Sequence, residues 1–121
     1  MSDCKAIGNR GEELAAEYLK NEGYTILEQN YHSGKAEIDI IAKKDETLAV
    51  VEVKTRSTSD FGRPADFVKP AQIRNLIKAV NAYVETINFD GEIRFDIISV
   101  EMTQNSSTVS HLENAFYHFN A

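Results

Sequence analysis

Three charged side chains fall in two apolar segments that read as neighbouring β-strands. Asp39 lies within residues 37–42, and Glu52 and Lys54 lie two positions apart within residues 48–55. Side chains alternate across a strand, so Glu52 and Lys54 share one face. Strands joined by a short turn usually pair antiparallel, and one such register brings Asp39 beside Glu52 and Lys54.

Apolar residues surround this cluster, and their spacing assigns the faces of the second strand. Regular alternation predicts that Glu37, Asp39 and Ile41 share a face, opposite Ile38 and Ile40. Two carboxylates held side by side among apolar side chains repel each other and lose hydration. A nearby cation would offset that cost. The other interpretation is a solvated strand edge, where a Glu-x-Lys pattern is common.

The donor set defines which cation fits. Carboxylate oxygens together with water suit Mg²⁺ or Mn²⁺, and the sequence has no Cys/His cluster of the kind that holds zinc. Such a metal can polarise a phosphoryl oxygen and activate water for in-line attack. Lys54 could orient that water or stabilise charge that builds on the phosphate.

Two helices add candidates to the cluster. In the first helix Glu12 lies at the border of the apolar stripe, roughly 90° from its centre, whereas Glu13 and Glu17 point away from it. Glu12 is therefore a candidate third carboxylate, or else a plain flanking residue. Gln72 lies near the start of the second long helix, where the helix dipole attracts anions, so it could contact a phosphate or orient a water.

The charge distribution is uneven. The whole chain has a net charge of −6, but the segment from Lys54 to Lys78 carries six basic and two acidic side chains. A protein with net negative charge is expected to bind DNA weakly. A basic segment beside the cluster could nevertheless contact successive phosphates of a DNA backbone. An ordinary solvated face explains the same pattern. The candidate nucleic-acid-binding residues are Arg56, Arg63, Lys69 and Arg74.

Periodicity and turn residues predict seven elements. Helices are expected over residues 7–22, ending at Gly23, and over residues 70–86, beginning at Pro70. The order αβββαββ predicts an α/β fold with helices flanking a mixed sheet. The predicted strands are 24–31, 37–42, 48–55, 93–100 and a short last strand at 111–116.

Length and composition bound the class of protein. The 121 residues fit a single domain, 1–121, with 42% hydrophobic residues for a core. The only cysteine is Cys4, and neither an apolar signal core nor a membrane-spanning run is present. A cytoplasmic protein with no membrane association is the expectation.

Several motifs together resemble a known family. They are Gly8-Asn9-Arg10-Gly11-Glu12-Glu13-Leu14-Ala15, Gly23-Tyr24-Thr25-Ile26-Leu27, Glu37-Ile38-Asp39-Ile40-Ile41-Ala42, Val51-Glu52-Val53-Lys54-Thr55-Arg56, Phe61-Gly62, Arg94-Phe95-Asp96-Ile97-Ile98 and Asn114-Ala115-Phe116. Over nearly the whole chain, this pattern resembles the bacterial YraN-like family. That family is similar to archaeal Holliday junction resolvases, within the PD-(D/E)XK nuclease-like proteins. The resemblance implies a restriction-endonuclease-like core and metal-dependent phosphodiester cleavage.

The resemblance also implies roles for single residues. Asp39 matches the motif aspartate, Glu52 and Lys54 match the E-x-K pair, and Glu12 and Gln72 match a first-helix glutamate and a helix glutamine. Two positions depart from the family pattern. Ala36 replaces a usual glycine, which predicts a wider turn before Asp39. Ala71 replaces a usual lysine, so Lys69 would have to supply the charge at that helix start.

Three functional hypotheses follow. The first is a Mg²⁺-dependent DNA endonuclease acting on branched or damaged DNA in repair or recombination, with Glu12, Asp39 and Glu52 as metal ligands. Such an enzyme would cut two strands symmetrically as a homodimer, although no dimer signal is visible in the sequence. The second is a non-catalytic nucleic-acid-binding module that keeps the fold and a metal. The third is a protein–protein adaptor in DNA processing. Fold likeness alone does not choose among them.

Overall fold

Two helices cover the two faces of one five-stranded sheet. The structure, a computed structural model, describes residues 3–57 and 70–115. The elements are α1 (Asp3–Asn21), β1 (Thr25–Ser33), β2 (Ala36–Lys44), β3 (Thr47–Ser57), α2 (Pro70–Ile87), β4 (Glu92–Met102) and β5 (Ser107–Leu112). The predicted order αβββαββ and the mixed α/β sheet are confirmed.

The sheet follows the chain order β1-β2-β3-β4-β5. Strands β1, β2 and β3 pair antiparallel, β3 and β4 pair parallel, and β5 returns antiparallel to β4. The parallel pair needs a long crossover, and α2 lies within that connection. No helix in residues 3–57 and 70–115 is long and apolar enough to span a membrane.

Two apolar clusters hold the layers together. On one face, Ala15, Ala16 and Leu19 of α1 pack on the central strands. On the other face, Ile73, Leu76, Ala79, Val80 and Tyr83 of α2 do the same. Each helix thus buries one stripe of side chains at helical spacing, as the sequence pattern predicts.

Both helices end in a left-handed residue that redirects the chain. After α1, Gly23 has φ of 97°, and the Tyr24 N–H donates to the Leu19 carbonyl at 2.9 Å. After α2, Asn88 has φ of 57°, and the Phe89 N–H donates to the Val84 carbonyl at 2.9 Å. Both are Schellman-type ends, which satisfy carbonyls of the last turn.

Two expectations from the sequence are wrong here. The last strand occupies Ser107–Leu112, and the sequence pattern predicts 111–116 instead. The pattern fails because this strand lies at the sheet edge, where its hydrogen bonds to β4 hold it with little apolar burial. The turn before β2 is also tight. Ser33 pairs with Ala36 across Gly34 and Lys35, and Ala36 is buried, so alanine at this position does not widen the turn.

The predicted faces of β2 are wrong at one point. Ile38 packs with Ile41 beneath α2, whereas Ile40 packs on the α1 face. The two faces therefore exchange between Ile38 and Ile40. Opposite this point in β1, Asn30 has φ of 53°, and the ladder omits the pairing that would join it to Asp39.

Candidate active site at the fork of β2 and β3

Asp39 lies where β2 and β3 separate. The regular ladder between them runs as far as the pair Ile40 and Val51. Beyond it, the Val53 N–H donates to Asp39 Oδ2 at 2.8 Å. A side chain therefore takes the place of a main-chain acceptor, which leaves Asp39 fixed at the opening between the strands.

Glu52 lies at the same opening and is held by α2. Its Oε1 accepts a hydrogen bond of 3.2 Å from Gln72 Nε2. Its Oε2 is buried and has no hydrogen-bond partner within the described part of the chain. Lys54 Nζ lies 3.7 Å from that oxygen, an ion-pair distance that is too long for a hydrogen bond. The structure thus brings Glu52, Lys54 and Gln72 together.

A small cavity adjoins the two carboxylates. It has a volume of about 20 Å³ and is lined by Glu37, Asp39 and Glu52 together with apolar side chains of α2 and β4. That volume is comparable with the space for one water molecule. The carboxylates therefore face a confined space with an apolar floor.

Burial and neighbouring carboxylates raise the pKa of Asp39 and of Glu12. Burial, opposed by the Val53 hydrogen bond and reinforced by the charges of Glu12, Glu52 and Glu37, raises the pKa of Asp39 to about 6. Burial also raises the pKa of Glu12, with Asn30 opposing the rise and Glu37 adding to it. The excess negative charge at the fork is what a bound cation would neutralise.

Glu12 is placed by an unusually close contact between α1 and β3. A Cβ built on the preceding residue, Gly11, would lie 2.0 Å from Thr55 Oγ1. Only glycine permits this approach, because any other side chain would collide with Thr55. The contact holds the middle of α1 against the last residues of β3, and Glu12 is half-buried there.

The end of β1 adds residues that the sequence analysis did not single out. Asn30 lies across the β1–β2 ladder from Asp39. Its side chain hydrogen-bonds to Glu12, which opposes the rise in the pKa of Glu12. His32 Nδ1 lies 3.0 Å from the Asn30 carbonyl, and its Nε2 lies 3.2 Å from Glu37 Oε2. An asparagine that adopts positive φ inside a strand is the one local signal for this arrangement.

The predicted nucleic-acid-binding residues divide into three groups. Arg74 is exposed on α2. Arg56 lies within β3 and is 8% exposed, so little of its side chain is accessible to a ligand, and its nucleic-acid-binding role stays a prediction. Arg63 and Lys69 lie outside the described residues, as does the side chain of Ala71.

The donors at the fork suit a hard divalent cation. Across residues 3–57 and 70–115, no group of three or more His, Cys, Asp or Glu side chains is already arranged around a metal position. The chemistry of the donors nevertheless fits, because Glu52 Oε2 is buried without a hydrogen-bond partner in the described ranges and Asp39 has a raised pKa. Oxygen donors of this kind are those that Mg²⁺ and Mn²⁺ use.

A second polar cluster lies on the α1 face of the sheet. Asp96 is 2% exposed and accepts hydrogen bonds from Arg94 at 2.9 Å and from the Asn114 N–H at 3.1 Å. His111 Nε2 lies 2.8 Å from Asp96 Oδ2, and His111 Nδ1 lies 3.1 Å from the Tyr18 hydroxyl. The network joins β4, β5 and α1, so we assign it to the fold.

Comparison with known proteins identifies the family. The model of the uncharacterised protein family UPF0102 matches residues 11–100, a range that includes Glu12, Asp39, Glu52, Lys54 and Gln72. The chain belongs to this family, which confirms the YraN-like resemblance. It is 52% identical to a UPF0102 protein of Christiangramia forsetii and 54% identical to one of Flavobacterium psychrophilum, each over 98% of this chain and 100% of the relative.

Proposed function

We propose that the protein is a metal-dependent DNA endonuclease whose active site is the fork of β2 and β3. The observation that carries the proposal is the buried Oε2 of Glu52 beside Asp39, which accepts no hydrogen bond from the residues that the structure describes and has Lys54 Nζ 3.7 Å away. A fold that keeps two repelling carboxylates and an ammonium group at one confined opening is suited to bind a cation and a phosphate together.

Each residue has a distinct part in this proposal. Asp39 and Glu52 hold the cation, and Glu12 completes the set from α1. The cation, Mg²⁺ or Mn²⁺, would polarise a phosphoryl oxygen and lower the pKa of a water. Lys54 stabilises negative charge that develops on the phosphate. Gln72 holds the Glu52 carboxylate in one orientation through its amide.

A non-catalytic nucleic-acid-binding module is the second candidate. The observation that favours it is that the three carboxylates are not yet arranged around a metal position within the part of the chain that the structure describes. The two candidates make different demands on Lys54. A nuclease needs this ammonium group for the chemical step, whereas a binding module needs it only for attraction.

A cleavage assay separates the candidates. Purified protein is incubated with labelled branched and linear DNA in Mg²⁺, Mn²⁺ or EDTA, and Glu52→Gln and Lys54→Met are compared with the wild type. We expect cutting that requires metal and falls at least about 100-fold in each variant. The matched controls are Glu85→Gln and Lys20→Gln, exposed residues with the same changes of charge, which should cut normally.

The possible results are distinct. Metal-dependent cutting that persists in Glu52→Gln and Lys54→Met would refute the assigned site and indicate a contaminating nuclease. Binding of DNA without cutting would favour the module. Neither binding nor cutting would favour an adaptor. Thermal melting of every variant shows whether a loss of cutting reflects a loss of fold.

A further inference from the structure

A groove runs between the β1–β2 turn and the outer side of α2. Ser33, Gly34 and Lys35 line one wall, and Asn75, Lys78 and Ala79 line the other. Its volume is about 380 Å³. The groove therefore has room for a ligand much larger than a water or an ion.

The walls of this groove carry two positive charges. Lys35 and Lys78 are both exposed, one on each wall. Neither forms an ion pair among the residues that the structure describes. In a chain with a net charge of −6, two exposed ammonium groups across one groove favour an anionic ligand.

A ligand can also approach the backbone of the β1–β2 turn closely. Gly34 has φ of 59°, and, apart from its chain neighbours, no heavy atom of the described residues lies within 4 Å of the position that a Cβ would occupy. Backbone groups at such a glycine can contact a ligand without interference from a side chain. The half-buried Asn75 on the opposite wall offers an amide for hydrogen bonds to phosphate or sugar oxygens.

The groove and the fork share the same two elements. Gln72, Asn75 and Lys78 follow one another at spacings of three along α2, so each adjoins the next in a row that winds around the helix, with Lys78 about 120° from Gln72. Gln72 binds Glu52 at the fork, and Lys78 lies about 9 Å farther along the helix axis. That distance equals two to three nucleotide steps along a duplex at about 3.4 Å per step. Lys35 directly precedes β2, which carries Asp39.

We propose that this groove binds the sugar-phosphate backbone of DNA a few nucleotides from the proposed cleavage position. The inference rests on the proposed function, because it takes the fork as the place of cutting. Lys35 and Lys78 contact phosphates from opposite walls, and Asn75 hydrogen-bonds to the same strand. These contacts position the strand and do not read its sequence.

Salt dependence of binding tests the groove without the chemical step. Binding of a labelled branched DNA is measured by fluorescence anisotropy in EDTA, over a series of salt concentrations. Each phosphate contact contributes about 0.9 to the slope of log K against log[salt]. We expect Lys35→Gln and Lys78→Gln each to lower the slope by about 1, and the double variant to lower it by about 2. At about 0.1 M salt each single change should weaken binding roughly fivefold to tenfold.

Lys20→Gln is the matched control. Lys20 is exposed in the last turn of α1, on the opposite face of the sheet, and its replacement changes the net charge equally. Its slope should equal that of the wild type. If Lys20→Gln lowers the slope as much as Lys35→Gln, general attraction explains binding and the groove proposal is wrong. If neither groove variant changes the slope, the proposal is wrong as well.

Two further comparisons distinguish DNA from free phosphate as the ligand, and the groove proposal from the nuclease proposal. Inorganic phosphate at constant ionic strength should leave DNA binding unchanged; competition at millimolar phosphate would instead indicate a small-anion site. If the variants lower the slope but the wild type cuts no DNA, the groove stands and the nuclease fails. If the wild type cuts DNA but the slopes do not change, the nuclease stands and the groove fails. A wild type that binds no DNA refutes both.

Discussion

Replacing Asp39 with asparagine should make the metal-free protein more stable. Asp39 is held at the fork beside Glu12 and Glu52, and its charge is disfavoured there by burial and repulsion. Asparagine keeps an oxygen that can accept the Val53 N–H but carries no charge. The variant therefore removes the unfavourable charge while it preserves the local hydrogen bond.

The pKa of Asp39 sets the size of this effect. Its rise from 3.8 to about 6 corresponds to about 3 kcal/mol, at about 1.4 kcal/mol for each pKa unit. Because the side chain is only half-buried, solvent screens part of this cost. The expected gain in unfolding free energy is therefore about 1.5–3 kcal/mol at pH 8, in EDTA.

The effect should depend on pH in a defined direction. The folded-state pKa of Asp39 lies above the unfolded-state value, so the native protein holds this proton between about pH 4 and pH 6. Stability contributed by the group is highest below pH 4 and is lost as pH rises through 6. The advantage of Asp39→Asn should accordingly be near zero at pH 4 and complete at pH 8.

Urea denaturation followed by circular dichroism measures this difference at both pH values. Asp90→Asn, an exposed change of the same charge, is the control and should alter stability by less than about 0.5 kcal/mol. If Asp39→Asn is no more stable than the wild type at pH 8, or gains equally at pH 4, Asp39 does not lie in the repulsive site described.

Three further changes test the surrounding structure by urea denaturation. Asp96→Ala should lower the free energy of unfolding by about 3–5 kcal/mol, because Arg94 and His111 lose the buried carboxylate that they contact. A loss below about 1 kcal/mol would show that the α1-face network contributes little. Asn30→Ala should be about 1 kcal/mol less stable than Asn30→Gly, since glycine accepts positive φ; equal stability would contradict the backbone strain. Gly11→Ala should cost about 1–3 kcal/mol, partly recovered by adding Thr55→Ala; no recovery would place the conflict elsewhere.

The fold follows largely from local patterns in the sequence. Apolar spacing defines α1 and α2, and Gly23 marks the end of α1 because it adopts positive φ. The last strand could not be located in the same way. Ser107, Thr108 and Ser110 are exposed, so β5 lacks the alternation that identifies a strand, and only its pairing with β4 defines it.

The candidate site was predictable where strand or helix periodicity alone decides it. Regular alternation places Glu52 beside Lys54, and the helical position of Gln72 brings it to Glu52. The setting of Asp39 required non-local information, because it depends on the left-handed Asn30 of the neighbouring strand. The burial of Arg56 was not predictable, because a charged residue at a strand end is usually exposed.

A crystal of the protein soaked in Mn²⁺ tests the metal site most directly. Anomalous scattering locates manganese without assumptions about the substrate. We expect a peak within about 2.0–2.3 Å of carboxylate oxygens of both Asp39 and Glu52, lost in crystals of Glu52→Gln. A manganese peak that lies away from these two residues, or no peak at the fork at saturating Mn²⁺, would contradict the proposed active site.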